Sequence, residues 1–257
     1  MNGLNIEEIK KLCKTEILYF DETDSTNSEA KRKSHYPDKT VFIADVQTSG
    51  RGRRGRQWIS GGGRGVWMSI LLKPGKATDK IPQITLAAGL AVCRALKKFG
   101  IASGIKWPND IVVNGKKICG ILAEMCNGEG NEVCVIVGIG INVNFESFPE
   151  EIKNVATSVF LETNKKNSRC EIIAAVLEEF WKIYAEFLAG NSEKIIAEYK
   201  KECASLGKMV RVILPDDEFE AYASDINEKG EIVVEKDGEK IALNSGEVSV
   251  SGMLGYV

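Results

Sequence analysis

The sequence predicts an α+β protein built in two parts. In the first part, residues 1–206, strand-like segments are interspersed with helix-like segments. From about residue 207 the pattern changes to short strands punctuated by tight turns such as Glu228-Lys229-Gly230 and Asp237-Gly238, which is typical of a small barrel. We therefore predict one larger domain over residues 1–206 and a small β domain over residues 207–257.

Helix and strand signals alternate at the start of the chain. The first segment carries isoleucine and leucine at helical spacing behind Asn5, a residue type that often caps helices. Ser25 or Thr26 then offers a cap for a second helix. The elements predicted here are a helix at 4–14, a strand at 17–20, a helix from 25 or 26 to about 32, and a strand at 40–46.

The middle of the chain holds one long apolar helix and four strands. The helix over residues 81–99 has Pro82 in its first turn and Gly100 at its end, the positions that these residue types favour. Asn114-Gly115 is the strongest hairpin signal in the chain. The predicted strands are 66–72, 111–113, 117–125 and 133–139, the last three as neighbours in one sheet.

A long amphipathic helix precedes the second part. Ser168 and Glu171 have capping-box spacing ahead of this helix, which ends near Gly190. The short strands that follow are predicted at 209–214, 219–226, 231–236, 240–243 and 248–250.

Composition excludes several classes of protein. With 257 residues, 44% of them hydrophobic and 27% charged, the chain can bury a sizeable core. Its net charge of -2 is unlike that of a dedicated nucleic-acid protein. No apolar run is long enough to span a membrane, and residues 1–14 are too polar for a secretory signal. We therefore expect a cytoplasmic protein with no membrane partner.

Cysteine and histidine usage points away from metal and triad chemistry. The seven cysteines form no C-x-x-C pair and fall mostly in apolar stretches, as buried thiols do in a reducing compartment. His35 is the only histidine and lies in a polar segment. A His-dependent nucleophilic triad and a multi-histidine metal site are therefore disfavoured, and no metal-ligating residue is predicted.

A run of arginine and glycine is the most distinctive local feature. Gly50-Arg51-Gly52-Arg53-Arg54-Gly55-Arg56-Gln57-Trp58 places four arginines and three glycines within nine residues. Glycine permits close approach of the backbone to a ligand, and each guanidinium offers donors that match carboxylate or phosphate oxygens. We expect this arginine loop, residues 50–65, to be mobile until an anion neutralises it. By itself the run also fits a solvated basic loop or an RNA-binding segment.

Further motifs accompany the arginine loop in a fixed order. They are Asp24-Ser25-Thr26-Asn27, then Gln47, then Lys106-Trp107-Pro108-Asn109-Asp110, Gly115-Lys116-Lys117-Ile118-Cys119-Gly120-Ile121-Leu122 and Gly138-Ile139-Gly140-Ile141-Asn142. In residues and spacing, across roughly residues 15–257, the set resembles the biotin protein ligases. Each motif alone is weak or moderate, and their shared order makes the resemblance specific.

The resemblance implies a fold and a reaction. The fold is a catalytic mixed sheet with helices on one face, of the class II synthetase and lipoate ligase kind, followed by an SH3-like barrel. The reaction joins the carboxylate of biotin to a lysine of a biotin carboxyl carrier protein through biotinyl-5'-AMP, with biotin, ATP and Mg²⁺ as ligands. An ionised carboxylate needs no general base to attack the α-phosphate, so the lack of histidine chemistry fits.

Site residues carry over by their position in the motifs. The resemblance assigns catalysis to Lys117, Arg51 and Lys106, with Lys117 between the carboxylate and the α-phosphate. The ligand-binding set that it implies is Ser25, Thr26, Asn27, Gln47, Arg51, Gly52, Arg53, Trp58, Lys117, Gly120 and Asn142. Hydroxyl and amide groups suit the ureido ring of biotin, which has one carbonyl acceptor and two N–H donors.

Several roles stay open from the sequence. Arg54 and Arg56 fit either phosphate contacts or solvated charges. Trp58 and Trp107 either stack on a ligand or pack in the core. Asn109 and Asp110 are candidates for positioning metal-bound phosphates or for orienting lysines, and a purely structural turn is the alternative for Asp110.

Three alternative functions compete with this one. A lipoate or octanoate ligase would share the sheet and the adenylation chemistry, but the intact arginine run and the Lys-Trp-Pro-Asn-Asp motif favour biotin. An RNA-binding module is disfavoured because the arginine loop lacks interleaved aromatic residues apart from Trp58. A repressor would need an N-terminal helix-turn-helix domain, and only about twenty residues precede the Ser-Thr-Asn motif. We therefore expect a monofunctional ligase without sequence-specific nucleic-acid binding, and a homodimer is compatible with the sequence.

Overall fold

The computed structural model describes residues 4–13, 15–75, 81–128, 130, 132–214, 217–245 and 249–252. Its larger part is a seven-stranded sheet with the order β1-β2-β3-β7-β6-β5-β4. The strands are β1 (Ile17–Thr23), β2 (Val41–Gln47), β3 (Gly65–Leu72), β4 (Gly104–Lys106), β5 (Asp110–Val113), β6 (Lys116–Asn127) and β7 (Val133–Asn142). The pair β1 and β2 is parallel and the other neighbours are antiparallel. The predicted mixed sheet is confirmed.

The long helices cover one face of this sheet. The helices are α1 (Ile6–Cys13), α2 (Thr26–Arg32), α3 (Ile81–Lys98), α4 (Val159–Thr163), α5 (Arg169–Leu188) and α6 (Ser192–Glu202). Apolar side chains of α1, α3, α5 and α6 share one buried cluster with alternate residues of the central strands. The short helix α2 packs on the opposite face through Ala30, against Phe42, Leu71 and Ile136. The predicted layer of helices on one face is confirmed for α1, α3, α5 and α6. Helix α2 lies on the other face, where no helix was predicted.

Strand alternation decides what the second face carries. In β3, Val66, Met68 and Ile70 point into the main cluster, so Trp67 and Ser69 point to the opposite face. On the same face, the second half of β7 presents Gly138, Gly140 and Asn142. This half of the opposite face is therefore open enough to form a cavity.

The second part is a five-stranded antiparallel sheet with the order β11-β10-β9-β8-β12. Its strands are β8 (Lys208–Ile213), β9 (Glu218–Ile226), β10 (Ile232–Lys236), β11 (Glu239–Leu243) and β12 (Ser249–Gly252). All five correspond to predicted strands, and the antiparallel pairing agrees with the predicted small barrel. The first residue of the predicted strand 248–250 lies outside the described residues.

Hydrogen bonds join the two parts beside the edge of the larger sheet. The indole N–H of Trp107 donates to the carbonyl oxygen of Gly230 at 3.1 Å. The amide of Gln83, on α3, donates to the carbonyl oxygen of Glu228 at 2.8 Å. Val210 and other buried residues of the smaller sheet belong to the main apolar cluster. The small sheet is thus packed onto the large one, and Trp107 is a core residue that ties them together.

Most predicted elements appear with ends shifted by a few residues. Three elements were not predicted: β4, α4 and α6. The first two are three and five residues long, too short to show a period. Among the described residues, no helix combines the length and apolarity needed to cross a bilayer.

Candidate active site

A cavity of about 920 Å³ opens on the face of the large sheet that the long helices leave free. Eight of its described lining residues are cationic, and Asp110 is the only carboxylate among them. Cationic lining residues are Arg51, Arg53, Arg54, Arg56, Arg64, Lys106, Lys117 and Arg211. So strong an imbalance, in a chain of net charge -2, favours an anionic ligand.

The floor of the cavity is made of facing glycines. Gly120 of β6 and Gly140 of β7 are paired across the strands. A Cβ atom at either position would lie 2.8 Å from the indole ring of Trp58. The ring therefore lies directly on the glycine pair, at 6.2 Å and 72° from the ring of Trp67. The Nζ atom of Lys117 lies 5.2 Å from the Trp58 ring centroid, within the range of a cation–π contact.

One end of the cavity is polar and largely uncharged. Ser25, one of the two predicted caps, occupies the N-cap position of α2, although its side chain makes no capping hydrogen bond there. The backbone N–H and the hydroxyl oxygen of Thr26 lie 2.8 Å and 3.1 Å from Oε1 of Gln47. The Gln47 amide nitrogen in turn donates to Ser60 at 3.0 Å. Thr26 and Asn27 are almost fully buried, so this polar corner is fixed by packing and hydrogen bonds.

Asn27 is held by two acceptors on β6. Its amide nitrogen donates to the carbonyl oxygen of Leu122 at 3.3 Å and to the carboxylate of Glu124 at 2.6 Å. The same carboxylate accepts from Lys31 at 2.7 Å and lies 3.6 Å from the guanidinium of Arg51. Burial opposes ionisation of Glu124, but the hydrogen bonds from Lys31 and Asn27 outweigh it and lower the pKa of the carboxyl.

Two lysines, Lys106 and Lys117, line the cavity together with Asp110. The Nζ atom of Lys117 lies 2.7 Å from Oδ1 of Asp110. Lys106 is 8% exposed, and burial lowers its pKa to about 8, although the Asp110 charge acts in the opposite direction. Asp110 therefore holds the ammonium group of Lys117 in an ion pair, and its role toward a ligand stays a prediction.

The arginine loop folds back on itself. Residues 51 and 57 form a β-bridge, and a short 3-10 turn lies between them at Arg53–Gly55. The guanidinium of Arg53 donates to the side-chain oxygen of Asn109 at 3.0 Å and also to the carbonyl oxygen of Ser245, between β11 and β12. Arg51 donates to the hydroxyl of Ser28 at 3.1 Å. The loop thus connects α2, the β4–β5 turn and the small sheet.

Comparison with known proteins agrees with this arrangement. The model of the Biotin/lipoate A/B protein ligase family matches residues 19–142, and that of the Biotin protein ligase C terminal domain matches residues 205–251. The bifunctional ligase/repressor BirA of Bacillus subtilis is 37% identical over 242 residues, which are 90% of this chain and 74% of the relative. The biotin–[acetyl-CoA-carboxylase] ligase of Mycobacterium tuberculosis is 30% identical over 240 residues, 88% of this chain and 86% of the relative. The chain belongs to the biotin protein ligase family.

A solved structure extends the agreement to the fold. A biotin protein ligase from Aquifex aeolicus, in complex with biotin and ATP, superposes with a TM-score of 0.84 at 32% identity. The superposition covers 92% of this chain and 99% of the other. These relatives do not favour the lipoate ligase and RNA-binding alternatives.

Every site residue that was predicted from the motifs of this ligase lines the cavity described above. The predicted residues present there are Ser25, Thr26, Asn27, Gln47, Arg51, Gly52, Arg53, Trp58, Lys106, Lys117, Gly120 and Asn142. Several of them also have contacts within the protein, as described above for Thr26, Asn27 and Lys117. The Asn142 amide donates to the carbonyl oxygen of Thr157 at 3.0 Å, and Arg53 is bound as described above. Their roles toward a ligand stay predictions.

Several residues of the ligase that belong to this site were not predicted from the sequence. Trp67 lines the cavity, while Ser69 and Glu124 lie behind the polar corner and bind its side chains. The small sheet adds Arg211 to the lining. Alternation along β3 could have identified Trp67 and Ser69. Val66, Met68 and Ile70 point into the main cluster, so Trp67 and Ser69 must share the opposite face, on which the cavity lies.

Proposed function

We propose that the enzyme activates biotin with ATP to form biotinyl-5'-AMP and then transfers biotin to a specific lysine of a biotin carboxyl carrier protein. The observation that carries this proposal is the layout of the cavity. An uncharged polar corner at Thr26, Asn27 and Gln47 adjoins a wall of cationic side chains. Such a layout suits a ligand with a neutral hydrogen-bonding ring, a carboxylate and a nearby triphosphate.

The proposed reaction has two balanced steps. In the first, a carboxylate oxygen of biotin forms a bond to the α-phosphorus of ATP, and pyrophosphate leaves. In the second, the amine of the acceptor lysine forms an amide with the acyl carbon, AMP leaves, and the nitrogen loses a proton to solvent. Lys117, Lys106 and Arg51 supply positive charge where the carboxylate and phosphate meet, so they stabilise the developing charge of the first transition state.

We assign residues 1–206 to the catalytic biotin- and ATP-binding domain and residues 207–257 to a C-terminal domain that supports it. The contact of Arg53 with Ser245 supports a role for the small sheet in ordering the arginine loop. Arg211 and Ile213 of β8 reach the same cavity. The C-terminal domain would therefore act on the ATP-bound state and on transfer rather than on recognition of the biotin ring.

Mg²⁺ fits this site as a companion of ATP. Among the described residues there is no group of three or more histidine, cysteine, aspartate or glutamate side chains able to hold a metal ion. Asp110 is engaged with Lys117. We therefore propose that Mg²⁺ enters with the triphosphate and is held mainly by its oxygens.

Other aspects of the proposal rest on the sequence. All seven cysteines are free thiols, which fits the reducing conditions of a cytoplasmic address. A homodimer and the lack of a sequence-specific nucleic-acid partner stay predictions. To test the function, the purified enzyme is incubated with biotin, MgATP and a carrier domain. Covalent biotin on one carrier lysine, identified by peptide mass spectrometry, is the expected result, and an unmodified carrier under all conditions would exclude the transfer step.

The arginine loop should gain protection when ligands bind. Its closely spaced guanidinium groups repel one another, so a bound anion offsets part of the entropy lost on ordering. Hydrogen exchange in residues 50–65 should therefore slow on addition of biotin, and slow further with biotinyl-5'-AMP. Residues 81–98, within α3, serve as the internal control. Full protection of the loop in the free enzyme would contradict this prediction.

ATP binding should weaken as the pH rises through about 8. The pKa of Lys106 is about 8 and lies below its ordinary value, so its ammonium is present below that pH and is lost above it. A neutral amine no longer attracts phosphate, and bound ATP should shift the titration upward. Calorimetry across this range should show the step in the wild type and its loss in Lys106→Met. An identical step in the variant would exclude Lys106 as its origin.

A further inference from the structure

Two residues that do not line the cavity control the side chains that do. Ser69, in the centre of β3, is fully buried, with its hydroxyl oxygen 2.7 Å from Oγ1 of Thr26 and 2.6 Å from Oδ1 of Asn27. Glu124 reaches Asn27 from β6. Neither Ser69 nor Glu124 is among the lining residues. Both therefore act on a ligand only through the residues that they bind.

The contacts of Asn27 fix which way its carboxamide points. The amide nitrogen has two hydrogens, and it donates to the Leu122 carbonyl oxygen at 3.3 Å and to the Glu124 carboxylate at 2.6 Å. A flipped carboxamide would place its oxygen against both of these oxygens. The oxygen of Asn27 must therefore face Ser69, directly above Gly138, where an added Cβ would approach it to 2.2 Å. Since that oxygen has two lone pairs, Ser69 leaves one available to a ligand.

The hydroxyl protons of Ser69 and Thr26 can be placed by counting. Two protons serve three contacts: Ser69 to Asn27 at 2.6 Å, Ser69 to Thr26 at 2.7 Å, and Thr26 to Gln47 at 3.1 Å. The two short contacts both need a proton between their oxygens. Thr26 therefore donates to Ser69, and Ser69 donates to Asn27. This arrangement leaves the long contact to Gln47 without a hydroxyl proton.

The outcome is a set of oxygens that accept and do not donate. Oε1 of Gln47 is identified as oxygen because it accepts the backbone N–H of Thr26 at 2.8 Å. With its proton turned toward Ser69, the Thr26 hydroxyl also presents lone pairs to the cavity. We call Oγ1 of Thr26, Oδ1 of Asn27 and Oε1 of Gln47 the acceptor row. Without Ser69 and Glu124, the Thr26 hydroxyl and the Asn27 amide could each offer a donor instead, whereas Gln47 is held by Thr26 and Ser60.

We propose that Glu124 and Ser69 are positioning residues that hold the acceptor row in its accepting state, and so make the ring site specific for a ligand that donates N–H groups. The inference rests on the proposed function, in which the ring is the cyclic urea of biotin. The ureido N–H groups satisfy the acceptor row. A dithiolane or an alkyl chain brings no donor, so its binding would bury these oxygens unpaired. Lipoate and octanoate are thereby excluded at the ring end of the cavity.

The test compares biotin with its two cyclic carbamate analogues, in which one ureido N–H is replaced by a ring oxygen. This replacement keeps ring size and turns a donor into an acceptor. Calorimetry with the wild type should give roughly 10- to 100-fold weaker binding for at least one carbamate. In Glu124→Leu the Asn27 carboxamide can rotate and offer its N–H, so biotin should bind roughly 10-fold more weakly and the carbamate penalty should shrink at least roughly 5-fold. Glu124→Gln retains an acceptor oxygen for Asn27 and should keep most of the penalty.

Ser69→Ala provides an independent variant, with thermal unfolding used to establish that each protein is folded. Loss of the Ser69 hydroxyl frees the Thr26 proton to turn toward Gln47, so discrimination should again shrink. Equal weakening of biotin and carbamate in both variants would mean a merely structural role and would overturn the inference, as would unchanged binding of both ligands. Failure of the wild type to bind biotin at all would count against the proposed function instead.

Discussion

Lys117→Met should slow formation of the adenylate roughly 100- to 1,000-fold while leaving the fold intact. The Lys117 ammonium lies 2.7 Å from Asp110 and over the Trp58 ring, at the junction of the polar corner and the cationic wall. Its loss removes positive charge from the transition state and also leaves Asp110 to repel the incoming phosphate. Single-turnover formation of biotinyl-5'-AMP, measured by rapid quench, checks the prediction.

Lys116 offers a matched control for this experiment. It precedes Lys117 on the same strand, is not among the lining residues, and carries the same side chain. Lys116→Met should adenylate biotin at nearly the wild-type rate. A Lys117→Met enzyme with near-wild-type single-turnover kinetics would show that its charge is not used in the chemical step.

Arg51→Ala should weaken the hold on biotinyl-5'-AMP much more than the affinity for free biotin. The Arg51 side chain is 46% exposed and lies 3.6 Å from Glu124, so its charge is available to the phosphate that only the adenylate brings. Loss of such a charge-assisted contact costs about 1.5–3 kcal/mol, or roughly 10- to 150-fold in affinity. Competition calorimetry with both ligands gives the two constants.

The control for Arg51 removes the same charge elsewhere. Arg94 lies on α3, is not among the residues that line the cavity, and pairs with Glu198 on α6. Arg94→Ala should leave both affinities within roughly 2-fold of the wild type, as expected of a surface charge. If Arg51→Ala weakened biotin and adenylate to the same extent, the assignment of Arg51 to the phosphate would be wrong.

Turns and helix starts that are marked by specific residue types were predicted correctly from the sequence. Asn114 and Gly115 both adopt positive φ, 49° and 75°, as a two-residue hairpin turn requires. The Ser168 hydroxyl accepts from the backbone N–H of Glu171 at the start of α5, as the capping-box spacing indicated. In contrast, α6 was not predicted, although Ile195, Ile196 and Tyr199 are buried at helical spacing within it. The Tyr199 hydroxyl donates to the carbonyl oxygen of Pro108, a partner that is distant in sequence and that a local pattern does not contain.

The same distinction applies to the candidate site. The motifs identified residues of one cavity because each motif is a contiguous run in the sequence. Ser69 and Glu124 contribute through contacts with Asn27, from which they are 42 and 97 residues away. Trp58, left open between stacking and packing, lies on the Gly120–Gly140 pair. That position follows from cross-strand register, which depends on the whole sheet. Proton placement in the polar corner likewise needs distances that a sequence does not contain.

The most direct measurement is the exchange of labelled pyrophosphate into ATP, with biotin, lipoate and octanoate supplied in turn. Reversible formation of an acyl adenylate is the only step that this exchange requires, so it needs neither the carrier protein nor transfer. Exchange that depends on biotin, with little or none for the other two acids, is the result expected from the acceptor row and the cationic wall. Exchange supported by lipoate or octanoate but not by biotin, or no exchange with any acid, would contradict the proposed function.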